Sequence, residues 1–230
     1  MKLNRSIVTH SLAALAAAAV VVAAGAGHSA ERKPEGPAQP EGPAQPEGMD
    51  PAAMQAAMDN WLKTTKPNEK HTYLEQFVGE WDTTMRLFFG PGAPASESKG
   101  NATLTMIHGG RFLKQESTGT MQLPKPDGTM MNTPMNGLGL TGFDNNRKLY
   151  TFVWTDSMNT GVLTGSGSLS PDGSTMTMFG AMDEPMTGEM GKMVKYVTRV
   201  AGPDKHFFEI HEVLYGEPFK VVEIEYTRKK

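Results

Sequence analysis

The sequence predicts an all-β protein whose globular part is an antiparallel up-and-down barrel of about ten strands, preceded by short N-terminal helices. Three observations carry this reading. From Gly79 onward, apolar residues recur at every second position through segment after segment, the period of half-buried strands. Between the segments stand explicit turn chemistries: Gly109-Gly110, Asp144-Asn145-Asn146, Pro171-Asp172-Gly173 and Gly202-Pro203-Asp204. Connections this short make successive strands pair as hairpins, and a large antiparallel sheet loses its exposed edges by closing on itself.

Residues 1–30 carry Lys2 and Arg5, then an Ala/Leu/Val run from Ser11 to Ala24, then small residues from Gly25 to Ala30. That order is the layout of a secretory signal peptide, with Ala24-Gly25-Ala26 and Gly25-Ala26-Gly27 both suited to cleavage. A transmembrane anchor is the competing reading. Against it, the apolar run falls short of the ~20 residues a span needs and is mostly weakly apolar alanine. The expectation is export to the periplasm or the extracellular space, with no membrane span after cleavage. The 230-residue chain has no cysteine, which excludes a lipid-anchored N-terminal cysteine and any disulfide. Its formal charge is −3, and loss of Lys2 and Arg5 makes the remainder more acidic. Nucleic acid is therefore not an expected partner.

Residues 31–48 repeat EGPAQP twice and begin it a third time. Proline at this density blocks helix and ladder alike, so the segment reads as an extended, disordered linker. Residues 49–70 form an amphipathic helical segment. Asp50 followed by Pro51 is a helix start in which the carboxylate can cap the first turn. Met54, Met58, Trp61 and Leu62 then share one side at helical spacing before Lys66-Pro67 ends the run. Such a stripe suits a lid docked on its own domain, the alternative being a partner-binding helix. Within the barrel domain, 71–230, a short helix over about 71–77 directs Tyr73, Leu74 and Phe77 to the core. Strands are expected at 80–89, 98–108, 111–120, 137–143, 148–156, 160–169, 174–182, 191–201, 206–214 and 218–228, with a loop over 121–136.

The Gly79-x-Trp81 step at the entry to the first strand resembles the GxW signature of calycin barrels such as lipocalins. The resemblance implies that Trp81 plugs the closed end and that an arginine of the last strand lies across it. Val222, Ile224, Tyr226 and Arg228 share one parity, so Arg228 follows apolar residues to the barrel base. Gly79, Trp81 and Arg228 are the expected closure residues, structural and not catalytic. The phrases GGRFLKQE, GLGLTGFDNNRKLY and W-x-D-x-M-x-T-G, together with their order, resemble a bacterial domain-of-unknown-function family of calycin-like barrels over about Tyr73 to Lys229. The resemblance supplies a fold and no activity.

On the strand 148–156, Tyr150, Phe152, Trp154 and Asp156 lie on one face. If that face is interior, Trp154 and Asp156 line the mouth of a cavity with apolar walls and a few polar groups. If it is exterior, they are a surface aromatic and a turn acid. Gln115 and Glu116 point to opposite faces, and Leu113 shares the parity of Gln115, which favours Gln115 as the inward one. The expected ligand site is thus Trp154, Asp156 and Gln115. Asp156 and Glu116 could also form a carboxylate pair, although the sequence gives no distance between them.

His211-Glu212 begins like the zinc motif H-E-x-x-H, but Tyr215 occupies the last position and the segment reads as strand. No metal site and no cofactor are predicted. His206 or His211 is the candidate were haem to be bound. The 17 methionines, six of them between Met176 and Met193, raise Cu(I) handling, against their ordinary use as adaptable apolar filler. No nucleophile elbow, phosphate loop or dinucleotide motif occurs, so no catalytic residue is assigned and a hydrolase is the least favoured reading. The sequence thus points to an exported barrel that binds a small apolar ligand, the alternative being a filled barrel with a structural or envelope-associated role.

N-terminal sequencing of the mature protein should find a start between about Gly27 and Glu31. A cytosolic protein retaining Met1 would contradict export.

Overall fold

The computed structural model describes residues 50–90, 92–125, 127–184, 187–213 and 219–230. The candidate signal segment, 1–30, and the linker, 31–48, lie outside the described residues. Helix α1 spans Pro51–Thr65 and α2 spans Glu69–Thr72, running into a 3-10 turn over Tyr73–Phe77. Ten strands follow: β1 Gly79–Leu87, β2 Ser96–Ile107, β3 Phe112–Pro124, β4 Met130–Asp144, β5 Leu149–Asp156, β6 Leu163–Leu169, β7 Thr175–Glu184, β8 Glu189–Gly202, β9 Lys205–Glu212 and β10 Phe219–Arg228. Every strand pairs antiparallel with its sequence neighbour, and β10 pairs with β1 to close the ring.

Two expectations are corrected. The segment 121–136 is not a loop. β3 and β4 stay paired from Phe112↔Gly142 to Pro124↔Met130. Beyond Gly119 on β3 and Gly137 on β4 the register with β2 and β5 stops, so the hairpin overhangs the barrel as a two-stranded ribbon. Pro134 is tolerated there because β4 is an edge strand at that point. The second correction concerns α1, which is not a docked lid. It has no buried residue, and Met58, Trp61 and Leu62 are 46%, 59% and 40% exposed. The apolar residues that the N-terminal helical region does send into the core are Leu74 and Phe77, at 1% and 4% exposure. Nor does the Asp50 carboxylate cap the helix, although Asp50 is the N-cap residue and Pro51 follows at the first helical position.

What holds α1 is its C-terminal end. Asn145 Nδ2 donates to Thr64 O and Lys66 O at 2.9 and 2.8 Å, and Arg111 donates to Thr65 O from Nε and Nη2. Carbonyls that a helix C-terminus leaves without partners are thereby satisfied. The Asp144-Asn145-Asn146 turn, which sequence reading treats only as punctuation, buries its middle residue to do this, with Asn145 at 8% exposure.

The closed end is a set of aromatic rings around Trp81. The indole donates to Phe77 O at 2.9 Å, and the Arg228 guanidinium carbon lies 4.1 Å from its ring centroid. Trp81 and Arg228 are direct register partners across β1 and β10. Arg228 also donates to Val78 O, Gln76 O and Pro203 O at 2.6, 2.8 and 3.1 Å. Gly79 makes room for this, because its φ of +138° suits only glycine and a Cβ there would stand 2.5 Å from Arg228 Nη1. His206 completes the cluster, stacked on Tyr226 at 4.2 Å and edge-on to Trp81 and Phe77. Burial, then the Arg228 charge, holds its pKa down at about 3, so it is neutral at pH 7.

Trp81→Ala should cost about 3–5 kcal/mol as a large-to-small change in a filled site. Arg228→Ala should cost less, and the two together less than the sum of the singles, since each removes the other's partner. Denaturant titration of the double-mutant cycle checks this, and strict additivity would mean that the stacking contributes nothing.

His206 makes stability pH-dependent with a defined sign. The unfolded histidine binds a proton below about pH 6.5 whereas the folded one does not until about pH 3. Stability should therefore be level above pH 6.5 and fall between pH 6.5 and pH 3, by on the order of 1.4 kcal/mol per pH unit from this group. His206→Phe should flatten that slope between pH 6 and pH 4 whatever its effect at pH 7. Equal slopes in the two proteins would assign the acid sensitivity to other groups.

Candidate functional site

Inward-facing side chains above the closed end enclose a cavity of about 260 Å³. Leu104, Leu113, Phe152, Met176, Met178 and Ile210 supply much of its apolar wall. Met121 and Met135 reach it from the overhanging β3–β4 ribbon.

The cavity is open because an aromatic ring is folded away against the wall. Trp154 on β5 pairs with Gly139 on β4, which pairs with Gln115 on β3. One step along, Asp156 pairs with Gly137 and Gly137 with Ser117. A Cβ on Gly139 would stand 2.9 Å from Trp154 Cε3, and one on Gly137 would fall within the indole's own envelope. The indole thus lies flat on β4 backbone that carries no side chain there. Phe152 uses Gly165 of β6 in the same way. The recurring glycines of the GLGLTG phrase are recesses for a neighbouring strand's ring.

Asp156 fixes the indole. Its Oδ2 accepts from Trp154 Nε1 at 2.9 Å, while Oδ1 accepts from Met158 N, Asn159 N and Asn159 Nδ2 at 2.9–3.2 Å. The two alternatives open in the sequence are both true of it, since it lines the cavity and is also a turn acid. With four donors on it, the carboxylate positions and does not present a free base. Gln115 faces the cavity, its Nε2 donating to Ser117 Oγ at 2.9 Å and Tyr226 OH at 3.0 Å. Burial raises the Tyr226 pKa to about 12. Gln115, Trp154 and Asp156 therefore meet on one patch of wall across β3, β4 and β5. Sequence reading missed Ser117, which shares the parity of Leu113 and Gln115, and Tyr196, a cavity-lining residue at 1% exposure whose hydroxyl has no hydrogen-bond partner among the described residues.

Other candidates are dispersed. Glu116 is on the outer face, paired with Lys114 at 2.7 Å, so it forms no carboxylate pair with Asp156. His211 pairs with Glu209 at 2.9 Å on the outward row of β9, whereas His206 packs against Phe77, Trp81 and Tyr226 and lines the floor of the cavity, its Nδ1 without a hydrogen-bond partner among the described residues. Met176 and Met178 are 2% and 3% exposed inside the barrel, whereas Met190 and Met193 are 74% and 45% exposed. Strand alternation splits the methionine run between two faces instead of forming one thioether cluster; Met186 lies outside the described residues. Among the described residues no three His, Cys, Asp or Glu side chains group as a metal site.

Among functionally curated proteins none matches the chain in sequence. Solved structures resemble it at a distance. Rv2717c from M. tuberculosis is 13% identical with a TM-score of 0.46, the match covering 72% of this chain and 100% of that one. An S-type phycobiliprotein lyase, CPES, from Guillardia theta is 11% identical with a TM-score of 0.43, covering 71% and 99%. A redesigned β-barrel is 16% identical with a TM-score of 0.35, covering 69% and 96%. Likenesses this remote say nothing of a ligand here. The sequence relationship is firmer: residues 66–228 match the family described as "Protein of unknown function (DUF1579)", and the chain belongs to it.

Proposed function

We propose that this protein is an exported, calycin-like barrel that binds one small, mostly apolar molecule in its interior. The observation that carries the reading is the 260 Å³ cavity kept open by the seating of Trp154 on Gly137 and Gly139. An apolar cavity of ~150 Å³ already accommodates benzene, so this one has room for a substituted ring or a comparable aliphatic. Its few polar groups, against a wall of Met, Leu and aromatic side chains, match the usual composition of small-ligand sites. The Gly79, Trp81 and Arg228 closure supports the calycin-like kinship.

The alternative is a filled barrel with a structural role, and the same experiment separates the two. Ethylbenzene titrated into the protein should give saturable heat and change the intrinsic fluorescence. Trp154→Phe should remove that change while leaving binding, since Trp61 and Trp81 are outside the cavity lining. Gly139→Leu should displace the indole inward and weaken binding by about tenfold or more. Absence of binding to the wild type, or indifference to the Gly139 substitution, would sink the binding role in favour of the filled barrel.

A further inference from the structure

We infer that the cavity selects an uncharged amphiphile bearing a hydroxyl, with its apolar body against Phe152, Met176 and Met178 and its hydroxyl in a polar niche beside Gln115, Ser117 and Tyr226. This deepens the binding role proposed above and rests on it.

The niche is a void of about 40 Å³ that shares Gln115, Trp154, Ile224 and Tyr226 with the main cavity and adds Thr83, Ser98, Ser117, Gly100 and Gly119. Two inward glycines border it. Gly100 and Gly119 are register partners on β2 and β3, and a Cβ on Gly100 would stand 2.5 Å from Thr118 O and 3.0 Å from Thr83 Oγ1. Strands approach closely there, and no side chain of either residue fills the space. A void needs only ~10–15 Å³ by this kind of measure to hold one water, so the niche takes a hydroxyl.

Its chemistry is two-sided. Gln115 spends its amide hydrogens on Ser117 Oγ and Tyr226 OH, and no group among the described residues donates to its Oε1. Ser117 and Tyr226 accept those bonds and each keeps a hydroxyl hydrogen of its own to donate. Thr83 and the largely buried Ser98, at 8% exposure, add two more hydroxyls. A hydroxyl is the simple head group that both donates and accepts, so it answers both halves of this set.

Charge is what the site lacks. Asp156 is the only formally charged side chain among those lining the main cavity, and four donors already occupy it. Lys99 borders the niche from the outward row of β2. Lys192, although only 7% exposed, lies outside the lining and is neutralised by Glu212 at 3.0 Å and Glu189 at 3.2 Å. A carboxylate or ammonium entering the barrel would lose its hydration without meeting a free counter-charge, whereas an alcohol exchanges water for matched partners.

Calorimetry of the full chain with three compounds on one frame, 2-phenylethanol, ethylbenzene and phenylacetate, tests this. Alcohol and hydrocarbon should both bind, with phenylacetate at least about tenfold weaker than the alcohol. Gln115→Met should weaken 2-phenylethanol by about fivefold, the equivalent of one net hydrogen bond, and leave ethylbenzene within about twofold. Ser117→Ala removes a single oxygen and should act in the same direction if Gln115→Met fails to fold. Phenylacetate binding as tightly as the alcohol, or an unchanged alcohol-to-hydrocarbon ratio in the folded variants, would overturn the hydroxyl niche while leaving the binding role intact. Failure of all three compounds to bind the wild type would remove both.

Discussion

The guanidinium of Arg228 is the point through which the barrel is held closed. It stacks on Trp81 of the first strand from its place on the last, and hydrogen-bonds to carbonyls of the 3-10 turn and the β8–β9 turn. Ten antiparallel strands left as an open sheet would expose two unpaired edges. The β1–β10 ladder removes them, and a planar group with several fixed donors is suited to reading three carbonyls at one junction. Inside and outside are defined only once this ring closes, so the placement of every other inward residue depends on it.

Above that base, the barrel keeps its centre open by a pairing of large with absent side chains. Trp154 occupies the recess of Gly137 and Gly139, and Phe152 that of Gly165. A ring laid along the wall still buries its area while leaving the axis clear. The Asp156 carboxylate prevents the indole from turning inward, and the adjoining turn donors keep that carboxylate in place. On the adjoining β2–β3 stretch of wall, where Gly100 and Gly119 let the strands approach closely, the small void is polar because Ser98, Ser117 and Gln115 border it. The Tyr196 hydroxyl is buried without a hydrogen-bond partner among the described residues, and a buried hydroxyl left unsatisfied costs of order 1–3 kcal/mol.

The amphipathic helix marks where a periodic pattern and its burial part company. Met54, Met58, Trp61 and Leu62 repeat as a core-facing stripe does, yet the helix is fixed by Arg111 and Asn145 reaching its last carbonyls and buries none of them. A stripe states that a helix has an apolar side; whether a surface exists to receive it is decided by the tertiary structure.

The ten strands and their order were legible in the sequence, because alternation with period two and short turns are local properties that burial on one face imposes; which face of 148–156 points inward was not. Strand parity set Gln115 apart from Glu116, and the resemblance to the calycin GxW signature, with the parity of the last strand, pointed to Gly79, Trp81 and Arg228. Local signals failed where the partner is remote. The β3–β4 ribbon continues through Pro124 and Pro134 because its outer edges are free, which no propensity at those prolines reveals. Asn145 looked like turn punctuation until the α1 carbonyls were seen to lie beside it. Whether Trp154 would fill the barrel or line it depended on which residues stand opposite it on β4. That is a matter of inter-strand register, set by closure of the whole sheet and not by any single segment, and it is why the cavity belongs to the tertiary structure while the strands belong to the sequence.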